Sequence, residues 1–421
     1  MSRPTRRNRI QTARDVAVFD PRSFDHGLVA DQTWSTTYDS TPGVQAALDA
    51  VRDSNPDSPG GIVQLPRGVL KTTGWTVYSN TVILGHGDGT FIQLAGGSNK
   101  NVFQSASYGH ATNWDKGIVI RDMQIYGNKA GQTVVCPQSY LTADFAVGTD
   151  GTMNVLDTTD FPSSGVLWVG YASVAYTGKT STTFTGCTAT SETGNVARGA
   201  WVTPVDAKGH LIAIQGRRCR FDNVYGRLAV GSGIYIQGPY DGQYQPENSI
   251  GDVRMEGCGR FALEIGENAS DGQVSKMPTG EGNLMGGVFV RGGNWAFTDT
   301  HPVTNATTLS SLGPAFRIAS GDTRIVNCFT DTWPTTPFIL DGFVRGGINI
   351  FNTQIAHART FQSAGVGGSA VAFIGPSTST QGRTQITDPN FYAPFDWTIS
   401  KGPTTVLVGT PNLASPPGGK V

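Results

Sequence analysis

Four residues, Arg227, Glu256, Arg291 and Asp331, alternate in charge at one repeating position of the chain. Each stands four residues after an Asn, Asp or Gly that precedes a short β-rich run: Asn223, Asp252, Gly287 and Asn327. If these runs stack as rungs about 4.8 Å apart, the four side chains form one outward column. Two chemistries fit such a column. As a surface salt ladder it would contribute roughly 0–1 kcal/mol per pair. As a catalytic pair, Glu256 and Asp331 lie two rungs and about 9–10 Å apart. That allows the roughly 6.5–9.5 Å carboxyl separation of an inverting glycosidase, one acid and one base. The flanking arginines would steer an acidic sugar, but they would also lower both carboxylate pKa values, which suits a general acid poorly.

A second outward column, two residues after each anchor, holds Tyr225, Arg254, Phe289 and Phe329. Exposed aromatic rings beside an arginine stack on sugars or form a subunit interface. The loop sequence GPYDGQYQPEN places Tyr240, Asp241 and Tyr244 together, a composition suited to carbohydrate contact, although a solvated loop is the simpler reading. Glu264 and Glu267, in ALEIGEN, also read as loop carboxylates.

The elements that must position these residues are short. Between Gly60 and Gln93, runs such as Ile62–Leu65, Trp75–Val77, Val82–Leu84 and Phe91–Leu94 are separated by Gly, Pro, Asn and Asp turns. Runs of this length suit the sides of a parallel β-helix, whose coils turn a corner every few residues. An Asn, Asp or Gly followed by such a run recurs at Asn80, Asp122, Asn223, Asp252, Gly287, Asn327, Asn352 and Asp388. The positions one and three residues after the anchors are mostly apolar and should face inward, because alternate residues of a strand share a face. Before the first coil, Val44, Ala47, Leu48 and Val51 recur at helical spacing after Ser40, Thr41 and Pro42, an N-terminus with one apolar face. A helix there would cap the exposed end of a solenoid. The interval from Asp122 to Asn223 is 101 residues, one coil plus an insertion, since a coil costs about 20–40 residues. The domains are therefore a basic arm and lead-in over 1–34, the cap and first coils over 35–138, a small inserted β module over 139–205, further coils over 206–409, and a tail over 410–421.

Composition narrows the function. Gly reaches 55 of 421 residues and formal net charge is −1, so a general role on nucleic acid is not supported. No apolar run approaches the ~18 residues of a membrane helix, which argues against membrane insertion. The basic start MSRPTRRNRI has no apolar stretch behind it, so synthesis in the cytoplasm without a signal peptide is expected. Five separated cysteines without a CxxC read as free thiols in a reducing compartment. Gly178-Lys179-Thr180 matches only the end of a phosphate-binding loop, and Ser173 stands where the first Gly is required. The histidines form no ligand motif. No metal or cofactor is expected.

The chain from Asp39-Ser40-Thr41 through Gln45–Ala50, Gly60-Gly61 to Gly68, Ser79-Asn80 to Gly87, and Asp122 to Asn128 resembles the N-terminal signature of pectate-lyase-like right-handed β-helix proteins, common in bacteriophage tailspikes and minor tail proteins. Ser40 stands where that family often has a second Asp, so no acidic pair is implied there. The segment FPSSGVLWVGYASVAYTGKTSTTFTGC also looks like a piece of phage tail proteins. The resemblance implies a homotrimer in the virion tail that docks on other tail proteins and touches host cell-surface polysaccharide. It leaves two functions open: a structural, receptor-contacting tail part, or a glycan depolymerase, hydrolase or lyase, on the same scaffold.

Overall fold

The computed structural model describes residues 17–24, 38–54 and, with breaks, 60–266; beyond that it describes the strand backbones between Leu284 and Leu413. The basic arm and the loop carrying Tyr240, Asp241 and Tyr244 lie outside the described residues.

Each coil carries three β segments. The first runs through Gly61–Gln64, Gly68–Thr72 and Trp75–Val77; the next repeats this as Thr81–Leu84, Thr90–Leu94 and Phe103–Ser105. All inter-coil pairings among the described residues of the solenoid are parallel and in register, through to Asn390–Phe391 on Asn412–Leu413. The chain is a right-handed parallel β-helix. Alternation explains its stability: in Arg220–Arg227, Phe221, Val224 and Gly226 are buried and Arg220 and Asn223 exposed. The inward residues join one core running from Val44 of the cap to Ile265.

The corners come from backbone that few residues tolerate. Asp122, Asn223 and Asp252 have φ of 60°, 48° and 47°, the left-handed region that Asn and Asp enter most readily among side-chain-bearing residues. They stand above one another, and Asn223 Nδ2 donates to Asp122 Oδ1 at 2.8 Å. Asn80, also left-handed at 58°, does not belong to this column. Val82 and Leu84 pair with Val119 and Arg121, while Gln124 and Tyr126 pair with Phe91 and Gln93. The expected register is thus corrected at the second coil, where the corresponding corner is the Gly85–Gly89 turn, whose residue Gly85 could not carry a Cβ without meeting Asp122 O at 2.1 Å.

Thr41–Asp53 is the expected helix, with Val44, Ala47, Leu48 and Val51 fully buried. Its cap differs in detail. The Ser40 side chain makes no capping bond; Asp39 Oδ1 instead accepts from Thr41 N at 2.9 Å. All three edges of the first coil are covered, which removes the open hydrogen-bonding rows that invite strand addition. Val18–Phe19 pairs with Gly61–Gln64, Asp39 bridges Lys71, and Gln45 takes both backbone groups of Thr76, accepting from N at 2.9 Å and donating to O at 3.2 Å.

The insertion is antiparallel rather than parallel, from Ser139–Tyr140 paired on Trp201–Pro204 inward to the hairpin Gly165–Val169 and Ala172–Tyr176. It has a separate core around Phe145, Phe161, Leu167, Val174 and Phe184. Lys179 donates to the carbonyls of Thr158, Thr159 and Phe161 at 2.7, 3.1 and 2.5 Å. The lysine of the GKT sequence therefore holds a hairpin to a neighbouring loop.

Candidate functional site

The outward columns form as their spacing requires. Tyr126, Arg227, Glu256, Arg291 and Asp331 are successive register partners, as are Gln124, Tyr225, Arg254, Phe289, Phe329 and Gln354. Glu256 and Asp331 are accordingly two coils apart with Arg291 between them. For Phe289, Arg291, Phe329 and Asp331 the backbone alone is described. For Tyr225, Arg227, Arg254 and Glu256 the side chains are described, and they meet.

Because neighbouring coils stand in register, Tyr225 faces Arg254 and Arg227 faces Glu256. The Tyr225 hydroxyl reaches diagonally across the rung and donates to Glu256 Oε2. The guanidinium carbons of Arg227 and Arg254 lie 5.1 and 4.8 Å from the Tyr225 ring centroid, cation–π distances. Arg254 Nη2 is 4.0 Å from Glu256 Oε1. Burial, then the bond to Glu256, push the Tyr225 phenol above its ordinary pKa. A phenol so held is a hydrogen-bond donor and a poor proton acceptor, and its ring is a support on which the two guanidinium groups pack. The patch presents two cations, a ring and a carboxylate at a partly exposed surface.

Glu264 corrects a sequence expectation. It lies in the strand Leu263–Gly266, not in a solvated loop, and is 1% exposed. Arg260, equally buried, donates to it at 2.9 Å, and Ser232 Oγ donates to its second oxygen at 2.8 Å. The Ser232 backbone N–H in turn donates to His210 Nδ1 at 2.9 Å. Alternation of Leu263, Glu264 and Ile265 was the available signal for a strand, but nothing local marks the cover that buries its outward residue. Cys136, at the entrance to the insertion, is close enough to feel Arg260 and Glu264, and burial pushes its thiol up. Among the described residues the cysteines are free and no group of His, Cys, Asp and Glu is arranged to hold a metal. No described helix is long and apolar enough to cross a membrane.

No protein-family model matches this sequence, and no curated protein matches it. Solved structures of similar architecture include a tailspike protein of Acinetobacter baumannii bacteriophage Fri1, a capsular polysaccharide depolymerase, at 12% identity and TM-score 0.43 over 89% of this chain and 55% of that one. PfbA, a surface adhesin of Streptococcus pneumoniae, is similar at 12% identity and TM-score 0.48 over 95% of this chain and 76% of that one. The A-module of the Azotobacter vinelandii mannuronan C-5 epimerase AlgE4 aligns at 13% identity and TM-score 0.33 over 93% of this chain and 100% of that one. This chain spans little more than half of the tailspike. The likeness is one of fold, the right-handed β-helix that tailspikes share with polysaccharide-active enzymes.

Proposed function

We propose that this chain is a bacteriophage tail structural protein, a tailspike or minor tail protein, that contacts host cell-surface glycan during adsorption. The observation that carries the reading is the pair of guanidinium groups, Arg227 and Arg254, packed on the Tyr225 ring, whose hydroxyl is tied to Glu256. Guanidinium groups held against a ring lose little freedom when a ligand binds, and they recognise the carboxylates of acidic glycans. The phage-like signature over residues 39–128 supports the placement in a virion tail, as a homotrimer docked on other tail proteins.

The second reading is a polysaccharide depolymerase. It is favoured by the shared column of Glu256 and Asp331, two coils apart. The two readings separate when purified protein is incubated with envelope glycan of the host, measuring new reducing ends and unsaturated uronate absorbance together. Retention of intact glycan is the expected result. Release of oligosaccharide, lost in Glu256→Gln or Asp331→Asn, would establish the depolymerase instead.

A further inference from the structure

The third flank of the helix has an outward column of its own. Thr76, Gln104, Ala213, Tyr235 and Glu264 are register partners on successive coils. Their exposure changes along the column. Tyr235 and Glu264 are 5% and 1% exposed and Ala213 is fully buried, whereas Thr76 and Gln104 are only half-buried. The flank is covered towards Glu264 and open at the capped end.

A cavity of about 690 Å³ occupies that open end, within the ordinary range for a small-molecule or oligosaccharide site. Thr76 and Gln104 line it together with Tyr108, whose ring meets Tyr235 edge-on at 6.0 Å. Lys100 and Lys208, both exposed, also line it, and none of the described lining residues is an Asp or Glu. One side chain is oriented in advance. The His210 N–H can only donate, so Asn101 Oδ1 accepts from it at 2.9 Å, and Asn101 Nδ2 must then donate to Gln104 Oε1, also at 2.9 Å. With its acceptor engaged, Gln104 keeps its Nε2 donors for a ligand; among the described residues nothing else engages them.

From this arrangement we infer that the cavity is a second glycan subsite, selective for an oligosaccharide that carries carboxylates. A fixed amide donor and a hydroxyl match sugar hydroxyls, the Tyr108 ring offers a face to a pyranose, and two ammonium groups, with no Asp or Glu among the described lining residues, favour an acidic residue. The subsite is separate from the Tyr225 patch, which lies on a different flank. The inference rests on the reading that the protein contacts glycan, and the test is arranged so that each can fail alone.

The probes are a linear uronic-acid trisaccharide and its methyl ester, which keeps the shape and removes the charge. Each is titrated calorimetrically into the whole protein, with host envelope polysaccharide measured in parallel. The acid should bind tighter than the ester, with that preference reduced about tenfold in Lys100→Gln/Lys208→Gln, because each exposed pair is modest and salt-screened. Thr76→Trp, which projects an indole into the cavity beside Gln104, should abolish binding of both trisaccharides with the melting temperature unchanged. Arg254→Gln should leave them unaffected. Equal binding of the acid by wild type and the lysine variant, or full binding by a folded Thr76→Trp variant, would overturn the subsite. Polysaccharide binding lost only in Arg227→Gln/Arg254→Gln, with no trisaccharide bound, would overturn the subsite and leave the glycan-contact reading standing. No binding to any of these glycans would overturn both.

Discussion

The Tyr225 hydroxyl donates to Glu256 Oε2 one coil away, so a single side-chain bond ties two rungs beside the guanidinium groups of Arg227 and Arg254. Removing the hydroxyl while keeping the ring separates anchoring from stacking. Tyr225→Phe should lower stability by about 1 kcal/mol, the net worth of one partly exposed hydrogen bond. It should weaken glycan binding less than Tyr225→Ala, which also removes the ring on which Arg227 and Arg254 pack. Denaturant unfolding and glycan titration of both variants measure this, and equal binding losses would remove the ring from the site.

Gly226 stands at an inward position where neighbouring coils have Ile125 and Met255. A Cβ there would lie 2.4 Å from Met255 Sδ and 2.6 Å from Leu211 Cδ1. Gly226→Ala should therefore cost about 1–3 kcal/mol through overpacking. Adding Met255→Ala should cost less in that background than in the wild type, a coupling that a double-mutant cycle reads directly.

Arg260 and Glu264 are each 1% exposed and 2.9 Å apart. Arg260→Ala should destabilise by about 3–5 kcal/mol, because it leaves Glu264 buried without its cation. A loss below about 1 kcal/mol in denaturant unfolding, the scale of a surface pair, would show that the pair is solvated.

Two tyrosines predict the alkaline limit. Burial, assisted for Tyr78 by donation to Asp49 at 2.7 Å, pushes both Tyr78 and Tyr176 up to about 12 from an ordinary value of 10.0. A raised pKa means that the folded state holds its proton more tightly than the unfolded state. Their contribution is thus complete below pH 10 and is lost as the pH rises through about 12. Phenolate absorbance should show both titrating late, and Tyr78→Phe should flatten the loss of melting temperature over that window.

Much of this architecture is local enough to read from the chain. Val44, Ala47, Leu48 and Val51 repeat at helical spacing, and they bury. Asp122, Asn223 and Asp252 mark corners because a left-handed residue is rarely anything but Gly, Asn or Asp. The columns carrying Tyr225, Arg227, Arg254 and Glu256 follow from those corners by counting. Asn80 misled because it has the same conformation at a different corner, where it aligns with Gly117 rather than with Asp122: the Asn80 backbone N–H bonds Lys116 O, and that of Gly117 bonds Arg217 O. Glu264, His210 and the Thr76–Gln104 cavity were illegible for another reason. Whether an outward residue is open or covered depends on distant segments, and no local pattern records that. Tyr240, Asp241 and Tyr244 lie outside the described residues and keep only their compositional suggestion.

The most direct test is the affinity of wild type and Arg227→Gln/Arg254→Gln for purified surface polysaccharide of the host, followed by biolayer interferometry at two salt concentrations. Wild-type binding that weakens with salt, and at least a tenfold loss in a variant with unchanged melting temperature, is the predicted result. That loss corresponds to about 1.4 kcal/mol shared between two guanidinium contacts. Undiminished binding by the double variant would contradict a glycan contact at the Tyr225 surface.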